Sequence, residues 1–254
     1  MTGALDHDRM LDVLEAEGTL LAATADTADP TLPVPSCPGL TVGETTRHVG
    51  SIHRRALRWI RTGTRPLTWR RDPEPGQSAA DYLRDGLRSL LGELAAHPPA
   101  EPCATWHPSQ ANYGFWRRRM AHETTIHRCD VQSAVGPVAP VADDVAVDGI
   151  DEVLTLWFGH RLTVLGVAGT RRGTLAVRSG DRVWLATVGQ ESTVAVPATA
   201  ADVRKASAVV TGEPADLYLW LWGRLPFFAG ERITQSGDQD LCAQAWALLR
   251  LATR

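Results

Sequence analysis

The feature that most constrains this chain is a change of period near its midpoint. Before Gly136 the apolar residues recur at helical spacing in four separate stretches; after Arg172 they gather in short β-branched runs bounded by turns. A stripe repeating about every 3.6 residues buries one face of a helix, whereas alternating or continuous branched runs between turn signals read as strands. Blocks of both kinds in one chain predict an α+β protein. Its 254 residues are long for one small domain and comfortable for two.

The helical block carries its own stop signals. Met10, Val13, Leu14, Leu20 and Leu21 mark a helix over about Asp6–Thr27, and Pro30, Pro33, Pro35 and Pro38 then enforce an extended connection. Thr41-Val-Gly-Glu44 is a capping box: Thr41 caps the nitrogen end and Glu44 reaches back. The helix it opens runs to about Arg61, before Gly63 and a charged linker, Pro66–Gln77. Tyr82, Leu83, Leu87, Leu90, Leu91 and Leu94 form the stripe of a third helix over Ser78–Ala96. A fourth covers about Asn112–Ala134 and ends at Gly136-Pro137. Four helices with polar connections predict a four-helix bundle over 1–140, an architecture whose facing helices hold metal ligands in the core.

Residues 141–254 are expected to form a smaller α+β domain. A linking helix over Asp143–Leu165 leads into a hairpin, Gly173–Ser179 and Arg182–Val188, about a Gly180-Asp181 turn. Further strands are expected over Ser192–Val196 and Ala206–Thr211, and helices over Pro214–Trp222 and Asp238–Leu251.

Charge and cysteine usage narrow the function classes. With 26 basic and 29 acidic residues the formal charge is -3, which gives no electrostatic reason to expect nucleic acid. Arg117-Arg118-Arg119 points in three directions on a helix, so a solvated or ion-paired run is favoured over a phosphate site. No stretch approaches the roughly 20 apolar residues of a membrane span, and the polar start lacks a secretory pattern, so a cytoplasmic protein is expected. Cys37, Cys103, Cys129 and Cys242 form no Cys-x-x-Cys pair, which supports neither a zinc knuckle nor a disulfide framework. A monomer is the default expectation.

Glu123 and His127 are four residues apart on the fourth helix, so their side chains leave one face, one above the other. A carboxylate and an imidazole are two thirds of a divalent-metal site, and His48 on the second helix can complete it. Three protein ligands leave positions open, as catalytic metals require. The bland readings stand beside this one: a solvated helical Glu/His pair, and a hydrogen-bonded core histidine at His48. Asp130, three positions after His127, is placed to orient that imidazole from behind, or to pair with Arg128 or another nearby arginine. His53, His122 and Cys129 are poorer ligand candidates by angle. Trp116 shares Glu123's face and is expected near the metal.

Cys37-Pro-Gly-Leu-Thr-Val-Gly-Glu-Thr-Thr-Arg-His48-Val-Gly, followed by His122-Glu123-Thr-Thr-Ile-His127-Arg-Cys-Asp130, resembles the N-terminal domain of the mycothiol-dependent maleylpyruvate isomerase family, one of the DinB-like four-helix bundles. Gly212-Glu-Pro-Ala-Asp-Leu-Tyr-Leu-Trp-Leu-Trp-Gly-Arg224 is similar to that family's C-terminal domain, an α+β module resembling sterol-carrier proteins. The resemblance covers nearly the whole chain. It implies that His48, Glu123 and His127 hold a divalent metal, usually zinc, and that Arg224 matches an arginine near the cleft between the domains. The plainer reading of Arg224 is a cation stabilising a helix C-terminus. Trp220 and Trp222 read as core or interdomain packing.

The resemblance further implies a reaction. Zinc acidifies a bound thiol, so the thiolate of a small cosubstrate, mycothiol, is expected to attack a small electrophile, with transfer, exchange or isomerisation as the outcome. Arg224 would bind a carboxylate of the thiol or substrate, with Trp116 lining the cofactor. The chain offers no nucleophile of its own: it lacks Gly-x-Ser-x-Gly, and no cysteine falls beside a candidate base in the sequence. Two other functions remain open, a non-catalytic small-molecule binding protein and a zinc hydrolase that needs no thiol.

Overall fold

The computed structural model describes residues 5–68 and 72–253. The chain divides into two compact units, Leu5–Ala139 and a second that begins at Pro140. The first contains α1 (His7–Thr27), α2 (Val42–Thr62), α3 (Ala79–Ala95) and α4 (Tyr113–Val135). Each helix starts where a side chain satisfies a backbone N–H that the first turn leaves open: Asp6, Thr41, Ser78 and Asn112 all accept such bonds. At α2 the box closes in both directions, Glu44 N to Thr41 Oγ1 at 3.2 Å and Thr41 N to Glu44 Oε2 at 2.9 Å. Gly63 ends α2 with φ 68°, a left-handed turn that a side chain would resist. Of the expected linker, 69–71 lie outside the described residues.

α1 packs on α3 and α4, and α2 packs on the same two helices. Leu21, Ala22, Val34, Val42, Val49, Leu83 and Val131 form one core cluster, which draws the proline-rich connection into the bundle through Val34. Leu20, expected in the α1 stripe, is 43% exposed; it lies about 100° round the helix from Leu21, which is buried in its place.

α4 is enclosed on most of its circumference: Arg117, Arg119, His122, Thr124, Thr125, Arg128 and Asp130 are all buried. That corrects the solvated alternative for the arginine run at two of its three members. Such groups persist inside a protein only when paired. Arg117 donates to Asp8 at 2.8 Å and to the Leu94 and His97 carbonyls at 3.0 and 2.8 Å. Arg128 pairs with both oxygens of Glu17 and donates to the Ala139 carbonyl at 2.6 Å.

In the second unit the linking helix is continuous in direction but not in type. α5 (Asp143–Glu152) passes into a π-helical stretch, Val153–Arg161, and ends as α6 (Leu162–Leu165). Five strands follow: β1 (Gly173–Ser179), β2 (Arg182–Val188), β3 (Thr193–Ala198), β4 (Ala208–Gly212) and β5 (Ile233–Gly237). Their order in the sheet is β3-β2-β1-β4-β5. The β1–β4 pair is parallel and the rest are antiparallel. The β1–β2 hairpin turns at Gly180, φ 54°. α7 (Ala200–Val203) precedes β4, and α8 (Pro214–Leu221) separates β4 from β5. α9 (Gln239–Ala252) packs on β1, β4 and β5, and the π stretch packs on β2 and β3. Three short elements differ from expectation: α7, β5 and a 3-10 turn at Gly230–Arg232, so strands and helices interleave at the end of the chain.

Candidate metal centre

Two helices deliver the three expected ligands to one point. From α2, His48 Nε2 lies 3.5 Å from Glu123 Oε1; from α4, His127 Nε2 lies 3.4 Å from the same oxygen. The two imidazoles meet edge to face, with ring centroids 5.0 Å apart and planes at 73°. All three side chains are partly accessible, with 25%, 17% and 13% of their surface exposed for His48, Glu123 and His127. The site is therefore shielded yet reachable.

The spacing discriminates between two accounts of the cluster. Hydrogen bonds between nitrogen and oxygen fall at about 2.7–3.2 Å, so contacts of 3.4 and 3.5 Å are poor ones. Ligands about 2.1 Å from a common centre at tetrahedral angles lie about 3.4 Å from each other. The donor set of two neutral-capable nitrogens and one carboxylate oxygen, spaced in this way, fits a zinc-sized divalent cation. His48, Glu123 and His127 form one of two potential cation clusters among the described residues.

The groups behind these atoms fix their presentation. Arg119, buried on α4, donates to Glu123 Oε2 at 2.9 Å and leaves Oε1 to face the imidazoles. Asp130, fully buried, accepts at Oδ2 from His127 Nδ1 at 2.9 Å. A proton on Nδ1 leaves the Nε2 lone pair directed to Glu123's side of the ring. Asp130 also accepts from Ser36 Oγ at 2.6 Å and Cys37 Sγ at 3.3 Å. Arg128, the alternative partner considered for Asp130, is directed to Glu17 instead.

Burial and pairing oppose each other at both ionisable ligands. Burial pushes the Glu123 carboxyl up, but the adjoining His127 and His48 rings and the Arg119 charge hold it well below the usual carboxylate range. Burial pushes His127 down, and its bonds with Asp130, Cys37 and Glu123 carry it well above the ordinary imidazole value. Pairing wins because the partners lie within the same enclosed cluster, where charge interactions are least screened.

The other expected residues fall elsewhere. Trp116 is packed in the core against Trp59 and Phe115, at centroid distances of 5.6 and 5.4 Å, and its indole N–H donates to the Ala104 carbonyl at 2.9 Å. Its polar edge is thereby used in holding a loop. His53 is buried with Nε2 2.9 Å from Thr124 Oγ1. Cys129 is buried. Arg224 follows α8 in the second unit and donates from Nη1 to the Trp222 carbonyl at 2.7 Å, as a cation at a helix end does. Trp220 and Trp222 are core residues.

Cys37 corrects the sequence reading, which found no cysteine beside a candidate base. Its thiol lies against Asp130 and within reach of His127, and those three form the second potential cation cluster. Ser36 was missed for the same reason, since both contacts span more than 90 positions of sequence. Arg119 had a local signal, standing four positions before Glu123 on the same helix face.

Comparison with known proteins bears on the whole chain. A family model described as the mycothiol maleylpyruvate isomerase N-terminal domain matches residues 11–132, and one described as the MDMPI C-terminal domain matches residues 144–244. Among solved structures, the chain is similar to the crystal structure of a mycothiol-dependent maleylpyruvate isomerase, with TM-score 0.55 and 15% identity, and to that of a histidine-to-alanine mutant, with TM-score 0.60 and 14% identity. Each likeness covers 94% of this chain and 97% of the other. No curated protein sequence matches.

Proposed function

The chain belongs to the mycothiol maleylpyruvate isomerase family, an enzyme family, and from that premise we propose that it uses zinc and a low-molecular-weight thiol, mycothiol, to act on a small electrophile. The observation that carries this reading is the convergence of His48 Nε2 and His127 Nε2 on Glu123 Oε1, at the edge length of a tetrahedral site. The bundle, 1–140, would hold the metal.

When bound, zinc lowers the pKa of a thiol or water and stabilises developing negative charge. The chain's own groups set the geometry. Arg119 restrains one carboxylate oxygen of Glu123, so the residue offers a single ligand atom. Asp130 holds the His127 proton on Nδ1. Arg224 supplies a planar fork suited to a carboxylate on the thiol or substrate. For an unsaturated acid, addition of the sulfur makes the double bond single, rotation follows, and expulsion of the same sulfur restores the double bond in the other geometry. The thiol is regenerated and atoms balance. For a saturated electrophile, the carbon–sulfur bond forms as the carbon–leaving-group bond breaks; the leaving group departs with the electron pair, the thiol proton goes to it or to solvent, and the sulfur stays in the product.

Zinc-loaded protein mixed with mycothiol and a panel of electrophiles tests this. Thiol-dependent isomerisation or thiol consumption is the expected result, lost in His48→Ala and His127→Ala together with the metal. Turnover without thiol would replace this reading with hydrolysis. A ligand-induced rise in melting temperature with no chemical change would replace it with a binding role.

A further inference from the structure

The Asp130 carboxylate is deeper than any ligand and carries more donors than an orienting group needs. It is fully buried and accepts from Ser36 Oγ, Cys37 Sγ and His127 Nδ1. Ser36 and Cys37 lie in the connection between α1 and α2, not on the helix that carries Asp130. That connection is tightly built. Val34 N donates to Leu40 O at 3.0 Å, Cys37 N to Val34 O at 3.1 Å, and Leu40 N to Cys37 O at 3.0 Å. A bridge between Pro33 and Thr41 closes its base. Pro35 and Pro38 fix their own φ and restrict the residue before each, which for Pro38 is Cys37. Gly39 turns the chain at φ 90°. The turn then ends at Thr41, the cap of the helix that carries His48.

We propose that the Pro35-Ser36-Cys37-Pro38 turn is a positioning device for the metal centre, in which the Ser36 hydroxyl and Cys37 thiol hold Asp130 so that it keeps His127 in the tautomer with its Nε2 lone pair facing the site. A carboxylate with one donor can rotate about its last torsion; one with donors on both oxygens cannot without breaking a buried bond. Asp130 Oδ1 is held by Ser36, so Oδ2 stays on His127 Nδ1. The same turn therefore sets the orientation of a ligand on α4 while leading directly into the cap of α2. This role rests on the metal reading above, and concerns Ser36 and Cys37 as positioning residues that act through Asp130.

Two measurements on the full chain test it. The first is zinc affinity by chelator competition; the second is the nitrogen-15 spectrum of the metal-free His127 ring in a pH series carried above its raised pKa, where the neutral ring shows which tautomer it holds. In Ser36→Ala/Cys37→Ala, zinc affinity should fall about 10- to 100-fold, the range found when groups behind metal ligands are removed, and the Nδ1–H signature of His127 should give way to a mixture. Ser36→Thr and Cys37→Ser keep a donor at each position and should restore both readouts. Wild-type affinity and tautomer in the double alanine variant would overturn the proposal. So would an equal loss in the conservative variants, which would mark the turn as structural packing alone. If wild type itself takes no zinc, the metal reading fails, while the ring spectrum still decides what the turn does to His127.

Discussion

The two units bury different chemistry. In the bundle, α4 takes Arg117, Arg119, Arg128 and Asp130 out of water and gives each a hydrogen-bonding partner. In the second unit the large buried side chains are Trp184, Trp220, Tyr218 and Phe158. The two indoles each use their one N–H: Trp184 Nε1 donates to Asp151 at 2.9 Å, and Trp220 Nε1 to the Phe227 carbonyl at 3.0 Å. An apolar core gains stability from area removed from water and is indifferent to pH. A core of paired charges gains little net stability, but loses much when one partner is deleted. The second unit also buries two carboxylates, Asp148 and Glu152 on α5, so the contrast is one of arrangement: on α4 the buried charges gather around the proposed metal ligands.

The sharpest break of this contrast is at the ligands. Glu123→Ala should abolish zinc binding and lower thiol-dependent turnover on the order of 1000-fold, since a metal contributes several kcal/mol of transition-state stabilisation; elemental analysis and steady-state kinetics check it. Deleting a charge elsewhere on the same helix should damage stability. Arg128→Ala removes a wholly buried guanidinium and leaves the half-buried Glu17 without it, and should cost about 3 kcal/mol in denaturant unfolding. An apolar deletion in the second unit gives the matched control. Leu241→Ala, on α9 and wholly buried, should cost about 2–5 kcal/mol through lost packing, and the loss should be the same at pH 5 and pH 8.

The most gradual effect, spread over several pH units and absent near neutrality, concerns His53. Burial lowers its pKa from 6.5 to about 3, so the folded state keeps it neutral where the unfolded chain binds a proton. Its contribution is complete above pH 6.5 and declines as pH falls toward about 3, at a slope of about 1.4 kcal/mol per pH unit. His53→Gln should flatten that part of the acid limb in a pH series of unfolding curves. An unchanged limb would show that His53 titrates with solvent access that its burial denies.

How far the sequence reached follows the range of each interaction. Thr41 and Glu44, Ser78, and Asn112 announce helix starts because a cap and its partner lie within three residues. The Glu123/His127 pair was legible for the same reason, and its meeting with His48 needed only that two helices pack together. Ser36 and Cys37 were not legible as neighbours of Asp130, because nothing local links them. β5 was hidden by its composition: of Ile233-Thr-Gln-Ser-Gly237 only Ile233 is buried, so an edge strand held by backbone pairing shows no alternation. Burial of Arg117 and Arg119 was unreadable because charge predicts exposure until partners are known.

The π stretch Val153–Arg161 turns more slowly per residue than the helix on either side. One of its carbonyls, that of Phe158, accepts the Thr193 hydroxyl of β3 at 2.6 Å. A bulge of this kind works as a vernier. Removing a single residue from it would let the coil tighten, swing everything from Leu162 onward by roughly a quarter turn, and take the Phe158 carbonyl out of Thr193's reach, so the segment's length is under tighter control than its composition.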